Sequence, residues 1–294
     1  MKKILIIGST VVDIILKIPY IPKSSEDVNV NSMYYRIGGC AYNVYSALKK
    51  MDIPATLCSP VGSGIYGTFV KEHFNKTGIE PFIILEEANG CCYCLVEPDG
   101  ERSFLSYHGA EYLFNKSWMN NIDISLYNDV YISGLEIEED TGMEIVNFLY
   151  ENPDLKFFYA PGSRIMHIAK EKMNLLLSRR DSYGMGPLLH LNEKELLSYT
   201  GQDDLECAAL KIHENTLNYV IVTLGDKGSA YYDYNDKMLK YVPIMPVKAT
   251  NTVGAGDIHF GVFIACYKNA CSIENSCLEA NKAAAKMLSL SLLL

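Results

Sequence analysis

The chain has 294 residues, which suits one large α/β domain carrying an insertion or about two smaller units. At 49% hydrophobic and 21% charged residues, it is neither a disordered nor a fibrous protein. Lys and Arg number 26 against 35 Asp and Glu, and a net charge of −9 with no long basic run argues against binding nucleic acid through its phosphates.

Residues 3–7 form a short continuous apolar run, the pattern of a fully buried strand, and Gly8 ends it. Residues 11–18 and 29–36 read as extended segments separated by the turn-rich stretch 19–27. After Gly38-Gly39, Ala, Val, Leu and Met recur at helical spacing over 41–51. A strand over 55–61, a helix over 68–77 and a strand over 82–85 follow. Residues 91–96 and 102–107, joined by Glu97-Pro98-Asp99-Gly100-Glu101, carry the clearest hairpin signal.

Beyond the hairpin, strands are predicted at 129–133, 156–160, 188–191, 219–223 and 230–234. Helices are predicted at 140–150, 163–177, 193–200, 205–215, 257–268 and 273–290. This alternation implies an α/β protein with a mostly parallel sheet covered on both faces. Two regions break the rhythm, about 14–36 and 91–107, and should project as a small accessory β element of a single domain over 1–294.

Nine scattered cysteines, an N-terminal apolar run cut short by Gly8, Ser9 and Asp13, and an apolar end over 287–294 complete the inventory. That end falls short of the roughly 20 residues a bilayer span needs. A reduced, cytoplasmic chain with no membrane partner is expected.

The most informative stretch is Thr250-Asn251-Thr252-Val253-Gly254-Ala255-Gly256-Asp257, which leads into a helix. Two glycines and an alanine leave backbone N–H groups bare at a helix start, where the macrodipole is positive. Such a turn is an anion hole suited to phosphate. Asp257 at the same end should stay ionised and can take a proton from a hydroxyl, the pairing that phosphoryl transfer to an alcohol requires. An Asp that merely caps the helix, with glycines that merely turn the chain, explains the same residues. A second group is Gly38, Gly39 and Asn43, where glycines admit a ligand to the backbone and an amide offers donors and acceptors. Asp13, just past the first strand, could bind neighbouring hydroxyls.

Together these residues resemble the ribokinase-like, or PfkB, family of carbohydrate kinases over nearly the whole chain. Gly38-Gly39-x3-Asn43 is similar to the family's N-terminal signature and Thr252-Val253-Gly254-Ala255-Gly256-Asp257 to its C-terminal one. Asn192-Glu193-Lys194-Glu195 resembles its Asn-x-x-Glu motif, and Val222-Thr223-Leu224-Gly225-Asp226-Lys227-Gly228 its nucleotide-side strand and turn. Asn281 resembles a residue flanking the adenine pocket.

The resemblance implies a three-layer α/β/α ribokinase-like domain with a β-sheet lid, and an ATP-dependent phosphotransferase acting on a hydroxyl of a small sugar. Asp257 would be the base and Gly254, Ala255 and Gly256 the anion hole. Asn192, Thr223, Gly225, Gly228 and Asn281 would serve the nucleotide, while Asp13, Gly38, Gly39 and Asn43 would hold the acceptor. Mg²⁺ would be held by phosphates and water, with Glu195 acting through water. The lid would exclude water and could pair two subunits. Asn251 stands where the family usually has Asp, which counts against a monovalent-cation requirement, and Val11 replaces a sugar-binding Asn of ribokinase, which disfavours ribose. Gly64 and Ala160 also depart from the family pattern.

Two rival functions remain. A nucleoside kinase of the same fold would need an aromatic platform, for which Tyr34, Tyr35, Tyr42 and Tyr107 are candidates. A non-catalytic sugar sensor would have no use for the base. The segment Gly62-Ser63-Gly64-Ile65-Tyr66-Gly67, with Glu86 beyond it, fits a dinucleotide fingerprint as a lone, loose match. Cys91 and Cys94 lack a second pair at zinc-finger spacing, and His259 is expected to pack.

Overall fold

The computed structural model describes residues 2–244 and 253–290. The chain opens with β1 (Lys3–Ile7), β2 (Val11–Lys17), β3 (Ser32–Gly38) and α1 (Cys40–Lys50). Next come β4 (Ala55–Cys58), β5 (Pro60–Ser63), α2 (Gly64–Thr77), β6 (Ile83–Ala88), β7 (Cys91–Val96) and β8 (Arg102–Tyr107). β9 (Tyr127–Ser133), α3 (Gly134–Glu138), α4 (Gly142–Glu151), β10 (Lys156–Ala160) and α5 (Lys170–Ser178) follow. Then come β11 (Leu188–Asn192), α6 (Glu193–Thr200), α7 (Leu205–Thr216), β12 (Val220–Thr223), β13 (Ser229–Asp233) and β14 (Met238–Val242). Helices α8 (Ala255–Lys268) and α9 (Ile273–Leu290) complete the described chain.

Eight strands form the main sheet in the order β14-β13-β12-β11-β10-β9-β1-β4. Pairing is parallel from β4 to β12, and β13 and β14 close one edge as antiparallel strands. Alternation along β1 explains the layers. Ile4 and Ile6 pack with Val44 and Leu48 of α1 and Phe260 and Phe263 of α8, whereas Leu5 and Ile7 pack with Ile145 and Leu149 of α4 and Leu176 of α5. Strands buried on both sides give the three-layer α/β/α arrangement with a mostly parallel sheet. A second sheet, ordered β3-β2-β7-β8, stands apart from it.

The strands at 3–7, 91–96, 102–107 and 156–160 coincide with the sequence reading. The segment 55–61 does not stay one strand. Pro60, which lacks an N–H for the ladder, begins β5, which leaves the main sheet to pair with β6. The helix read over 163–177 is interrupted: Gly162–Met166 is a 3₁₀ turn, and α5 starts only at Lys170. Arg164 is held there by a two-pronged bond to Glu138, and the Lys172 ammonium closes the carbonyl end of α3. Helix α3 is too short to show a period, and β14 is the second arm of a hairpin that the sequence reading ended at β13. Among the described residues, no helix is long and apolar enough to cross a membrane.

A buried polar chain crosses the helical layer on the α8 side. Asn281 Nδ2 donates to the Val242 carbonyl at 2.8 Å, so its Oδ1 accepts from His259 Nε2 at 3.0 Å. His259 Nδ1 then accepts from His190 Nε2, also at 3.0 Å. His259 thus donates at Nε2 and accepts at Nδ1 as a neutral ring, and His190 donates to it. Burial lowers His259 from 6.5 to about 4, against the opposing Asn281 bond, and burial with the neighbouring His259 holds His190 well below the usual range. Between these limits the unfolded chain binds protons that the native one excludes, so stability should fall as pH drops from 6.5 toward about 4. Unfolding free energies from denaturant titration over this interval should slope by up to about 1.4 kcal/mol per pH unit for each histidine, and the His259→Gln variant should flatten that slope.

Candidate active site

The group around Asp13, expected to hold the acceptor, is assembled by strand register. β2 and β3 pair with Asp13 opposite Arg36, and Arg36 Nε donates to Asp13 Oδ2 at 3.0 Å. The same guanidinium donates to the Val253 carbonyl at 3.4 Å, so it links the small sheet to the approach to α8. Asp13 is 5% exposed; burial pushes its carboxyl up and Arg36 pulls it back. The glycines beside it answer close approach. A Cβ on Gly38 would overlap the Asp13 carboxylate, and Gly39, at φ 98°, would bring one within 2.5 Å of the Ser9 carbonyl.

The second group is the start of α8. Gly254 is its N-cap in the left-handed region, φ 80° and ψ 4°, and the Ile258 N–H closes the first turn on the Gly254 carbonyl at 3.0 Å. The amides of Ala255, Gly256 and Asp257 therefore stand ahead of the helical ladder, and the space over Gly256 is open. Asp257 is half-buried, and its Oδ2 accepts from Asn43 Nδ2 at 2.9 Å. Its carboxyl does not sit in the low range expected of an acid at a positive helix end. Burial raises it, with the charges of Asp13 and Glu136 adding to the rise, against hydrogen bonds from Asn43 and Cys40. Glu136 is buried and accepts from the Ser9 N–H at 2.7 Å and the Ser133 hydroxyl at 2.5 Å.

Asp13, Gly39, Asn43, Gly254 and Asp257 line one cleft of about 910 Å³. Arg102, Arg164 and Tyr107 share its wall. Of the four tyrosines offered for a nucleobase platform, only Tyr107 lines it; Tyr42 bonds His73, and the Tyr35 ring lies against Phe69.

The residues expected to serve the nucleotide cluster where β11 and β12 end. Asn192 and Glu195 cap α6 reciprocally, Asn192 Oδ1 accepting from the Glu195 N–H at 2.8 Å and Glu195 Oε2 from the Asn192 N–H at 2.9 Å. Burial raises the Glu195 carboxyl, against its hydrogen bond from Asn192 and with the Asp257 charge adding to the rise. Thr223 ends β12, and Gly225 and Gly228 turn the chain toward β13 at φ 65° and 96°. Asn281 is buried with both ends of its amide engaged, so it ties α9 to α8 and β14 rather than presenting a free amide. Asn251 lies outside the described residues.

Residues that the sequence reading missed are Arg36, Cys40, Glu136 and Arg102. Their roles depend on register and on contacts between distant segments, for which no local pattern exists. The dinucleotide-like segment has a different use. Gly62 and Gly67 let β5, α2 and the chain at Glu87–Asn89 pack backbone to backbone, and the Gly62 N–H donates to Asn89 Oδ1.

A three-layer α/β/α sheet, a carboxylate at an amide-rich helix start, and a second sheet walling the cleft define a phosphotransferase of the lidded α/β class. The chain belongs to the pfkB family of carbohydrate kinases, whose model matches residues 1–291. It is 29% identical to the uncharacterized sugar kinase YegV of Escherichia coli over 96% of this chain and 87% of that one. Ribokinase from Thermotoga maritima superposes with a TM-score of 0.81 at 24% identity, covering 98% of this chain and 93% of that one. Arabidopsis thaliana ribokinase, solved in complex with ribose and ATP, superposes with a TM-score of 0.76 at 21% identity, covering 98% and 93%.

Gly254 combines a positive φ with a Cβ position 2.9 Å from Asn43 Nδ2. Gly254→Ala should therefore lose about 1–3 kcal/mol of unfolding free energy, read by denaturant titration. It should also displace Asn43 from Asp257 in a crystal structure of the variant.

Proposed function

We propose that the chain transfers the γ-phosphoryl group of ATP to a hydroxyl of a small sugar, with Asp257 as the base. The observation that carries this reading is the Asp257 carboxylate beside the first-turn amides of α8, in the same cleft as Asp13. Asn43 holds one oxygen of Asp257, and a carboxylate retains capacity to accept from an acceptor hydroxyl. Its raised affinity for protons suits it to take one as the hydroxyl attacks phosphorus. The amides of Ala255 and Gly256, with Gly254 shaping the turn, stabilise the transferring oxygens. Asp13, braced by Arg36, binds neighbouring hydroxyls of the sugar together with Gly39 and Asn43, while Gly38 gives the Asp13 carboxylate its room.

ATP lies along the ends of β11 and β12, where Asn192, Thr223, Gly225 and Gly228 form the surface and Asn281 shapes it from below. The hard oxygen donor of Glu195 suits Mg²⁺ held through water, and bound Mg²⁺ would neutralise charge on the phosphates. On one face of the lid sheet Met33, Tyr35 and Leu105 are exposed, an apolar group that fits pairing of two copies through the lid. All nine cysteines are free thiols, in keeping with a reducing, cytoplasmic setting.

Acceptor-dependent ADP release across a panel of sugars and nucleosides tests the reading. Turnover on sugars is expected; turnover on nucleosides alone, or sugar binding without turnover, would replace it. Asp257→Asn should retain ATP affinity and the fold while kcat falls by about 10²–10⁴. Because the Asp257 carboxyl is raised, kcat/KM should decline on the acid side at a pH above the ordinary carboxylate range. The limb should disappear in the Asn variant's residual rate.

A further inference from the structure

Two thiols on the cleft-facing side of the lid have no place in phosphoryl transfer. Cys92 and Cys94 are two residues apart on β7, so both thiols leave the same face. β2 runs parallel to β7 with Asp13 opposite Cys92, which brings a carboxylate beside them. The two Sγ atoms are 3.9 Å apart, and the ligand atoms of all three residues lie within 4.8 Å of one another. Two thiolates bound to one tetrahedral Zn²⁺ at about 2.3 Å stand about 3.8 Å apart. The observed separation is thus already that of a tetrahedral edge.

We propose that Asp13, Cys92 and Cys94 form a three-ligand site for Zn²⁺, and that its occupation competes with the sugar acceptor. The competition, though not the site, rests on the assignment of Asp13 to acceptor binding.

Charge favours a divalent cation. Two thiolates and one carboxylate carry three negative charges, and the Arg36 guanidinium on Asp13 offsets one. The sulfurs of Cys92 and Cys94 contact each other, and the Ser106 hydroxyl donates to Cys92 Sγ at 3.6 Å. On binding, two Zn–S bonds and one Zn–O bond form, the cation sheds water, and the thiol protons pass to solvent. Two sulfur ligands select against the reaction's own Mg²⁺, which takes oxygen. Cys94 and Asp13 are buried while Cys92 lines the cleft, so the fourth position opens toward the acceptor.

Titration of the intact, reduced protein with Cd²⁺ tests the site directly through thiolate-to-metal charge-transfer absorption. One equivalent should saturate the band, and Zn²⁺ should displace it. Cys94→Ser and Cys92→Ser should each remove the band while keeping the melting transition and the metal-free acceptor KM. In the ADP-release assay, free Zn²⁺ at ten times its dissociation constant should raise acceptor KM about tenfold at constant kcat, and a chelator should reverse this. No band in folded wild-type protein, or a band that survives in the double serine variant, would overturn the site. A saturable band with inhibition insensitive to acceptor would keep the site and remove Asp13 from acceptor binding.

Discussion

The hydrogen bond between Asn43 and Asp257 joins the two halves of the site. Asn43 is one turn into α1 and Asp257 in the first turn of α8, 214 positions apart in the chain. Their contact fixes the carboxylate against the start of a helix whose leading amides have no partners within it. An acid placed there without a bracing donor would swing toward solvent or cap its own helix. Held by Asn43 and Cys40, it faces the cleft instead, and burial gives it an affinity for protons that a surface aspartate lacks.

The remaining polar groups are arranged around that contact. Gly254 must be glycine both for its positive φ and because a side chain would collide with Asn43. Arg36 braces Asp13 and reaches the Val253 carbonyl, so the small sheet and the entry to α8 share one guanidinium. Glu136, buried beneath, accepts from the Ser9 N–H just after β1 and adds negative charge near Asp257 and Cys40. Three acids in one region would repel strongly if all were exposed to each other. Here Arg36 neutralises one, and the serine donors and backbone satisfy another.

Local sequence carried much of the architecture. Strands that are short apolar runs bounded by turns, such as Lys3–Ile7 and Lys156–Ala160, are legible because burial on both faces demands such a run. The α8 start is legible for the same reason of range: a glycine turn, bare amides and an acid are written within four residues. What stayed hidden was relational. Arg36 meets Asp13 only through the β2–β3 register, and Cys40 reaches Asp257 only once α1 and α8 are packed. The break at Pro60 is a single proline within an otherwise strand-like segment, and the internal bonds of Asn281 to His259 and Val242 join residues far apart in the chain. The Cys91-x-x-Cys94 spacing masks Cys92, because strand geometry pairs positions two apart.

The most direct measurement is a crystal structure with ADP, a planar metal-fluoride mimic of the transferring phosphoryl group, and the sugar that gives turnover. The expected result places the mimic on the amides of Ala255, Gly256 and Asp257, with an acceptor hydroxyl on the Asp257 carboxylate and its neighbours on Asp13. A mimic bound away from the α8 start, or an acceptor hydroxyl with no contact to Asp257, would contradict it.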